Sequence, residues 1–369
     1  MKKATIKILV CILVFSHVGL IFAKEKVSVR TNVFTDNTGT EVQSPAVEVV
    51  KSLIGNLQLL LRYSLDRIEI PPLRGLAATP SPTDGVTGAS RPVDDDKPAD
   101  ESYTKDRNEI NVGIGLPGIS GSYYYSTEND YIGRMATVSA NADFNQKNTN
   151  LSAFYSYGWD DIDPIGADTS HTRKSHNADV ALTQALSPNM IGRVGVDFSY
   201  VDGFQSNPYR TVNAGGQILA ENHPLARTRA AVFFKLSRYF RTQAAVNVEY
   251  RYYRDDWEVR SHTLNVFYHQ YFSDKVLIRY RYRYYDQTQA EFFKSSYSQP
   301  QSYMTSDYKL EKFNAHLFGF KIEYKLKDLV KDGFLSFMSV ATFEGKYERY
   351  FTSNDFTADI FQFGLVFNY

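Results

Sequence analysis

Residues 276–287 read VLIRYRYRYYDQ, with arginine and tyrosine alternating from Arg279 to Tyr284. Two environments select such a pattern. Guanidiniums on phosphates with tyrosines stacked on bases would make a nucleic-acid surface. At period two the same residues form a strand with unlike faces: Val276, Ile278, Tyr280, Tyr282 and Tyr284 on one, Leu277, Arg279, Arg281 and Arg283 on the other. Net charge separates the readings. The 369 residues carry 41 Lys+Arg against 41 Asp+Glu, so the cationic excess behind most nucleic-acid affinity is missing. The balance equally gives no reason to expect an anionic membrane surface or an acidic substrate.

The two-faced pattern recurs along the chain. In AAVNVEYRYY (244–253), Val246, Val248, Tyr250 and Tyr252 oppose Asn247, Glu249 and Arg251. In HLFGFKIEYKL (316–326), Phe318, Phe320, Ile322 and Tyr324 oppose Gly319, Lys321, Glu323 and Lys325. In LSFMSVATFEGKYERY (335–350), Leu335, Phe337, Phe343 and Tyr347 oppose Glu344, Lys346 and Glu348. One face is apolar and aromatic; the other carries both signs of charge. Helical periodicity is hard to find.

Sixteen strands are expected. The first eight fall near 27–34, 44–51, 57–66, 107–116, 119–127, 132–144, 150–159 and 174–186. The others fall near 190–201, 227–239, 242–254, 258–271, 276–290, 312–326, 334–349 and 357–369. Every second connection is short, as in LPG, LSPN and FSDK, whereas the intervening set includes 67–106, 160–173, 202–226 and 291–311. Sorting loops by parity is the layout of a membrane barrel with short turns at one end. The fold expected is all-β, an antiparallel transmembrane β-barrel of about 16 strands, within a range of 14 to 18. Loop 67–106 holds Pro71, Pro72, Pro80, Pro82, Pro92 and Pro98 and the acidic run Asp94–Asp96. It is expected to contain no strand and to be mobile.

The N-terminus, MKKATIKILVCILVFSHVGLIFAKEK, has the basic start, apolar core and small residue (Ala23) of a secretory signal over 1–23, leaving 24–369 as the barrel. Cys11 is the sole cysteine, so a chain cut after Ala23 would hold no disulfide or thiolate. No later window is long and apolar enough for a membrane helix, and mean hydropathy is -0.37. Alternating strands average to nothing on such a scan.

The chain ends FQFGLVFNY. Phe361, Phe363, Leu365, Phe367 and Tyr369 alternate with Gln362, Gly364, Val366 and Asn368. Gln362, Gly364, Phe367 and Tyr369 resemble the terminal strand read by the bacterial barrel-assembly machinery, an expected partner together with outer-membrane lipid. RYYRDDWEVRSHTL (251–264), YRYYDQTQAEFF (282–293) and SDYKLEKFNAHLFGFKIEY (306–324) resemble the bacterial "domain of unknown function 3570" family. YYYSTENDY (123–131) and DFNQKNTNLSAFYS (143–156) fit the same pattern. The resemblance implies an outer-membrane β-barrel of a Gram-negative bacterium. The family's biochemical role is undefined, so no catalytic residues transfer.

Arginine at the lipid midplane costs about 2–4 kcal/mol, so the polar face should line the lumen. Expected lumen charges are Glu249, Arg251, Arg279, Arg281, Arg283, Lys321, Glu323, Glu344, Lys346 and Glu348. Their mixture favours an internal network, with an anion-favouring constriction as the functional alternative. His262 and His316 are expected to face outward and His269 inward, which does not make a metal site. Asp160, Asp161, Asp163 and Asp168 could hold calcium but lack the EF-hand spacing. Ser261 beside His262 cannot form a catalytic pair on a strand. No motif points to a cofactor, a metal or an enzyme. The expected activity is a porin-like channel or passive transporter; the alternative is a structural or surface-interaction barrel with a closed lumen, in an export or redox-associated envelope assembly.

Overall fold

A computed structural model describes residues 26–71, 102–328 and 335–369. The predicted export segment and Asp94–Asp96 lie outside them. The described residues form eighteen strands. The first nine are β1 (Lys26–Asp36), β2 (Glu41–Ser52), β3 (Gln58–Ile70), β4 (Tyr103–Leu116), β5 (Ile119–Thr127), β6 (Tyr131–Phe144), β7 (Thr149–Ile162), β8 (His171–Ser187) and β9 (Met190–Gly203). The other nine are β10 (Thr211–Ala214), β11 (Gln217–Ala220), β12 (Ala226–Phe240), β13 (Ala244–Asp255), β14 (Arg260–Tyr271), β15 (Val276–Gln287), β16 (Phe313–Lys325), β17 (Ala341–Thr352) and β18 (Thr357–Asn368). Sixteen of these pair antiparallel in one closed ring, each with its sequence neighbour apart from the β9–β12 step, and β18 closes on β1. β10 and β11 form a separate hairpin within the β9–β12 loop. Closure leaves no edge of this ring to hydrogen-bond lipid or another chain.

Residues paired across a ladder share a face, so the register sorts the wall. Tyr280 lies between Tyr268 and Phe320, and Tyr282 between Val266 and Phe318. This face looks outward. Ile114 is 59% exposed, Val196 53%, Phe318 52% and Tyr280 52%. A continuous belt of large apolar side chains at such exposure needs hydrocarbon around it. Outward charges cluster at the long-loop ends of the strands as the pairs Arg67–Asp106, Arg134–Asp161 and Arg349–Asp359. They bound the belt on that side.

Three expectations are corrected. β17 begins at Ala341 rather than 334, because Ser336–Val340 form a 3-10 turn whose Phe337 stacks on Phe367 at 6.2 Å. The strand-free stretch 67–106 is shorter at both ends. β3 and β4 pair as far as Ile70 with Tyr103, where Val42, Ile68, Ile70 and Tyr103 make a buried cluster. The β9–β12 connection, expected as a plain loop, carries a hairpin that packs against the next long loop.

Candidate functional site: the lumen and its capped mouth

All ten expected lumen charges lie on the inward face, and the register brings most of them together. Arg281, Gly319 and Glu348 occupy one row across β15, β16 and β17. Arg281 Nη1 donates to Glu348 Oε1 at 2.9 Å, over the glycine between them. A Cβ on Gly319 would stand 2.6 Å from Glu348 Cγ, so only glycine leaves the passage open. A second row repeats the device at the barrel seam. Arg30, Gly364 and Glu344 lie side by side across β1, β18 and β17, with Arg30 Nε donating to Glu344 Oε2 at 3.0 Å. A Cβ on Gly364 would meet Arg30 Cγ at 2.9 Å. Neighbouring strands stand about 4.8 Å apart, so each ion pair spans roughly twice that by crossing a strand without a side chain.

Lys321 bridges Glu323 and Glu344, and Lys346 holds Glu348. Glu344 and Glu348 are 9% and 5% exposed, so removing either partner would strand a charge in a poorly hydrated place. Arg251 pairs with Asp197 of β9. Arg279 and Arg283 instead lie over the rings of Phe267 and Tyr285, at 5.5 and 5.6 Å, and Glu249 faces Lys235 in the register. Within the row Arg279, Arg281 and Arg283, the expected pairing with acids therefore holds for Arg281 alone. Around the ring, β4 to β6 present Gly113, Gly115, Ser120, Ser122, Thr137 and Ser139 inward, lining a cavity of about 260 Å³. The charged wall thus faces a stretch of small, uncharged side chains, while Lys105, Arg107, Asp160 and Arg173 lie nearer the long-loop end.

The other candidates disperse. His262 and His316 face outward, where their Nδ1 atoms hydrogen-bond Tyr250 and Tyr282 at 2.7 and 3.1 Å; His269 faces inward. His176 repeats this with Tyr155 at 2.7 Å. Asp160 pairs with Arg173 on the inner face and Asp161 with Arg134 on the outer. Gln362 and Gly364 face the lumen, while Phe367 lies under Phe337 and stacks on Tyr369. Arg30, Asp197 and Gly319 are lumen residues that the sequence reading does not single out, and Gly364, expected only as part of the terminal pattern, also serves the seam. For Arg30, Gly319 and Gly364 the signal is an inward glycine flanked in the register by opposite charges, legible only once the pairing is known.

At the long-loop end, loops 204–225 and 288–312 interlock. Ala214 bridges Tyr297 and Asn222 bridges Met304, with Val212, Ala214, Tyr297 and Met304 buried together. Glu221 Oε2 accepts from Thr305 Oγ1, Oε1 from the Asn207 N–H, and Arg210 pairs with Asp307. Burial alone would raise the Glu221 pKa; His223, Arg210 and the Asn207 N–H outweigh it and hold the carboxyl below its usual range. From this cap the Tyr209 hydroxyl donates to Asp130, which Lys105 of β4 also holds. Beneath lies a chamber of about 520 Å³, lined by Lys105, Arg107, Tyr131, Asp160, Arg173 and, from the far side, Lys309. Loops rooted between β9 and β16 thus reach the wall at β4 to β7.

The model of the family "Protein of unknown function (DUF3570)" matches residues 93–179 and 167–350. The chain belongs to this family. No curated protein matches it in sequence. Among solved structures it is similar to an OmpT loop-deletion mutant, an outer membrane protein of Vibrio cholerae. Identity is 11% and the TM-score 0.48, over 94% of this chain and 100% of that one. It is also similar to Pseudomonas aeruginosa OpdK solved with vanillate, at 9% identity and TM-score 0.43 over 94% and 98%. A BenF-like porin from Pseudomonas fluorescens Pf-5 gives 10% and 0.46 over 95% and 100%.

Proposed function

We propose that the barrel is a porin-like channel or passive transporter of the outer membrane of a Gram-negative bacterium, reached after export directed by residues 1–23. The observation that carries this reading is the wall itself. One side of the lumen is kept small with glycine, serine and threonine, and cavities of about 260 and 520 Å³ lie along it. A barrel built only as a scaffold would fill that volume with side chains, since voids forfeit packing. The belt of outward apolar residues supports the membrane placement. Purified, folded protein in a planar bilayer should give discrete current steps. Silence from folded protein would overturn the channel. One observation favours a second reading: loops 204–225 and 288–312 are locked over the mouth by the buried Arg210–Asp307 ion pair and the Thr305–Glu221 hydrogen bond. A closed barrel presenting that cap to another macromolecule would be electrically silent.

A further inference from the structure

We propose that the channel selects small anions, carboxylates and phosphates, through arginines that the lumen leaves uncompensated; this rests on the channel reading above. Arg229, Arg279 and Arg283 face the lumen from β12 and β15. Among the described residues none of the three has a carboxylate within ion-pair distance. The register neighbours of Arg279 and Arg283 are not acids. Arg279 lies between His269 and Lys321, and Arg283 between Asn265 and Leu317. Arg229 lies between Ser199 and Asp255, and Asp255 is taken by Arg227. Most nearby acids are engaged or face other bases: Asp197 with Arg251, Glu348 with Arg281 and Lys346, Glu323 with Lys321, and Glu249 opposite Lys235. Asp179 lies opposite Asp197, across β8 and β9.

The uncompensated cations are positioned rather than loose. Aromatic rings at 5.5 and 5.6 Å support the guanidiniums of Arg279 and Arg283. Such stacking holds the plane while leaving the N–H fork free for a bidentate oxyanion. Arg229 lines, with Arg251 and Tyr253, a lumen cavity of about 400 Å³. Arg251, Arg283, Arg281 and Arg279 descend in that order from the capped end toward the short-turn end. The glycine, serine and threonine stretch opposite leaves room for the rest of the solute. A passage lined by one uncompensated sign raises the local concentration of its counter-ion roughly tenfold or more at low salt.

The test is the reversal potential of the folded full-length barrel in a planar bilayer under a KCl gradient. The expected sign is that of chloride preference. In an Arg279→Gln/Arg283→Gln double variant the chloride-to-potassium permeability ratio should fall several-fold, and Arg279→Lys/Arg283→Lys should retain most of it. Sodium phosphate added to one side should reduce chloride current more in the wild type than in the glutamine variant. Heat-modifiable migration on a gel certifies that each variant is folded. Cation preference in the wild type would overturn the proposal, as would an unchanged ratio in the folded glutamine variant. A conducting barrel without anion preference sinks the selectivity alone, whereas a silent one sinks the channel with it.

Discussion

The absence of a side chain at position 319 decides whether Glu348 can reach Arg281. A methyl group there would sit 2.6 Å from Glu348 Cγ, with the Tyr347 carbonyl at 3.2 Å behind it. Gly319→Ala should therefore lower the stability of the folded barrel by about 1–3 kcal/mol, the usual effect of overpacking. Gly115→Ala is the matched control, because its added carbon meets only Ser120 Cβ at an ordinary 3.6 Å. Urea unfolding of both variants in detergent checks this, and equal midpoints would remove the steric account. Facing is testable at the same scale. Tyr282→Arg places a guanidinium on the lipid face beside Phe318, at up to about 2–4 kcal/mol. Arg281→Tyr leaves Glu348 still held by Lys346. The first should refold in clearly lower yield than the second; the reverse order would mean that the faces of β15 are exchanged.

At the scale of elements, the strands were legible because a barrel wall has an apolar outside and a polar inside, so its period survives at every position. The ends were not. Residues 334–340 alternate like a strand, yet Phe337 is used to cover Phe367, and no local pattern distinguishes the two uses. Likewise Thr211–Ala220 shows only short runs, whose pairing is stabilised by a partner loop more than eighty residues away. The lumen charges were legible as a class, but their partners were not, since Arg30 and Glu344 are 314 residues apart. The cap has its own pH dependence. Glu221 is held below its ordinary pKa of 4.5, so its contribution is fully present above that value and is lost as pH falls through the lower folded value. Hydrogen exchange in 204–225 and 288–312 should be insensitive to this group between pH 5 and 7 and should accelerate below about 4.5. Glu221→Gln should show the faster exchange already at neutral pH. Identical protection in wild type and variant across that range would show that the carboxylate does not hold the loops.

For the whole molecule, the question is how a cylinder with no free edge is completed. Phe361, Phe363, Leu365 and Phe367 form the outward stripe of β18, the strand that closes on β1. We expect Phe367→Ala/Tyr369→Ala to be exported but to fail in assembly, and outer-membrane fractions containing normal heat-modifiable barrel would refute this. Phe337→Ala separates recognition from stability. It uncovers Phe367 but keeps the terminal pattern, so it should assemble and then unfold at lower urea.

The ionic crossing at the seam bears on sideways exit. A barrel that released an apolar cargo into the bilayer would have to pull a pair of neighbouring strands apart, and the junction of first and last strand is the natural place for such a lateral gate. Here Glu344 on β17 reaches Lys321 on β16 and, across β18, Arg30 on β1. One carboxylate thus fastens four consecutive strands around that junction. Separating β1 from β18 would uncover Arg30 and Glu344 to hydrocarbon. The junction where the two ends of the wall meet is therefore fastened against opening sideways.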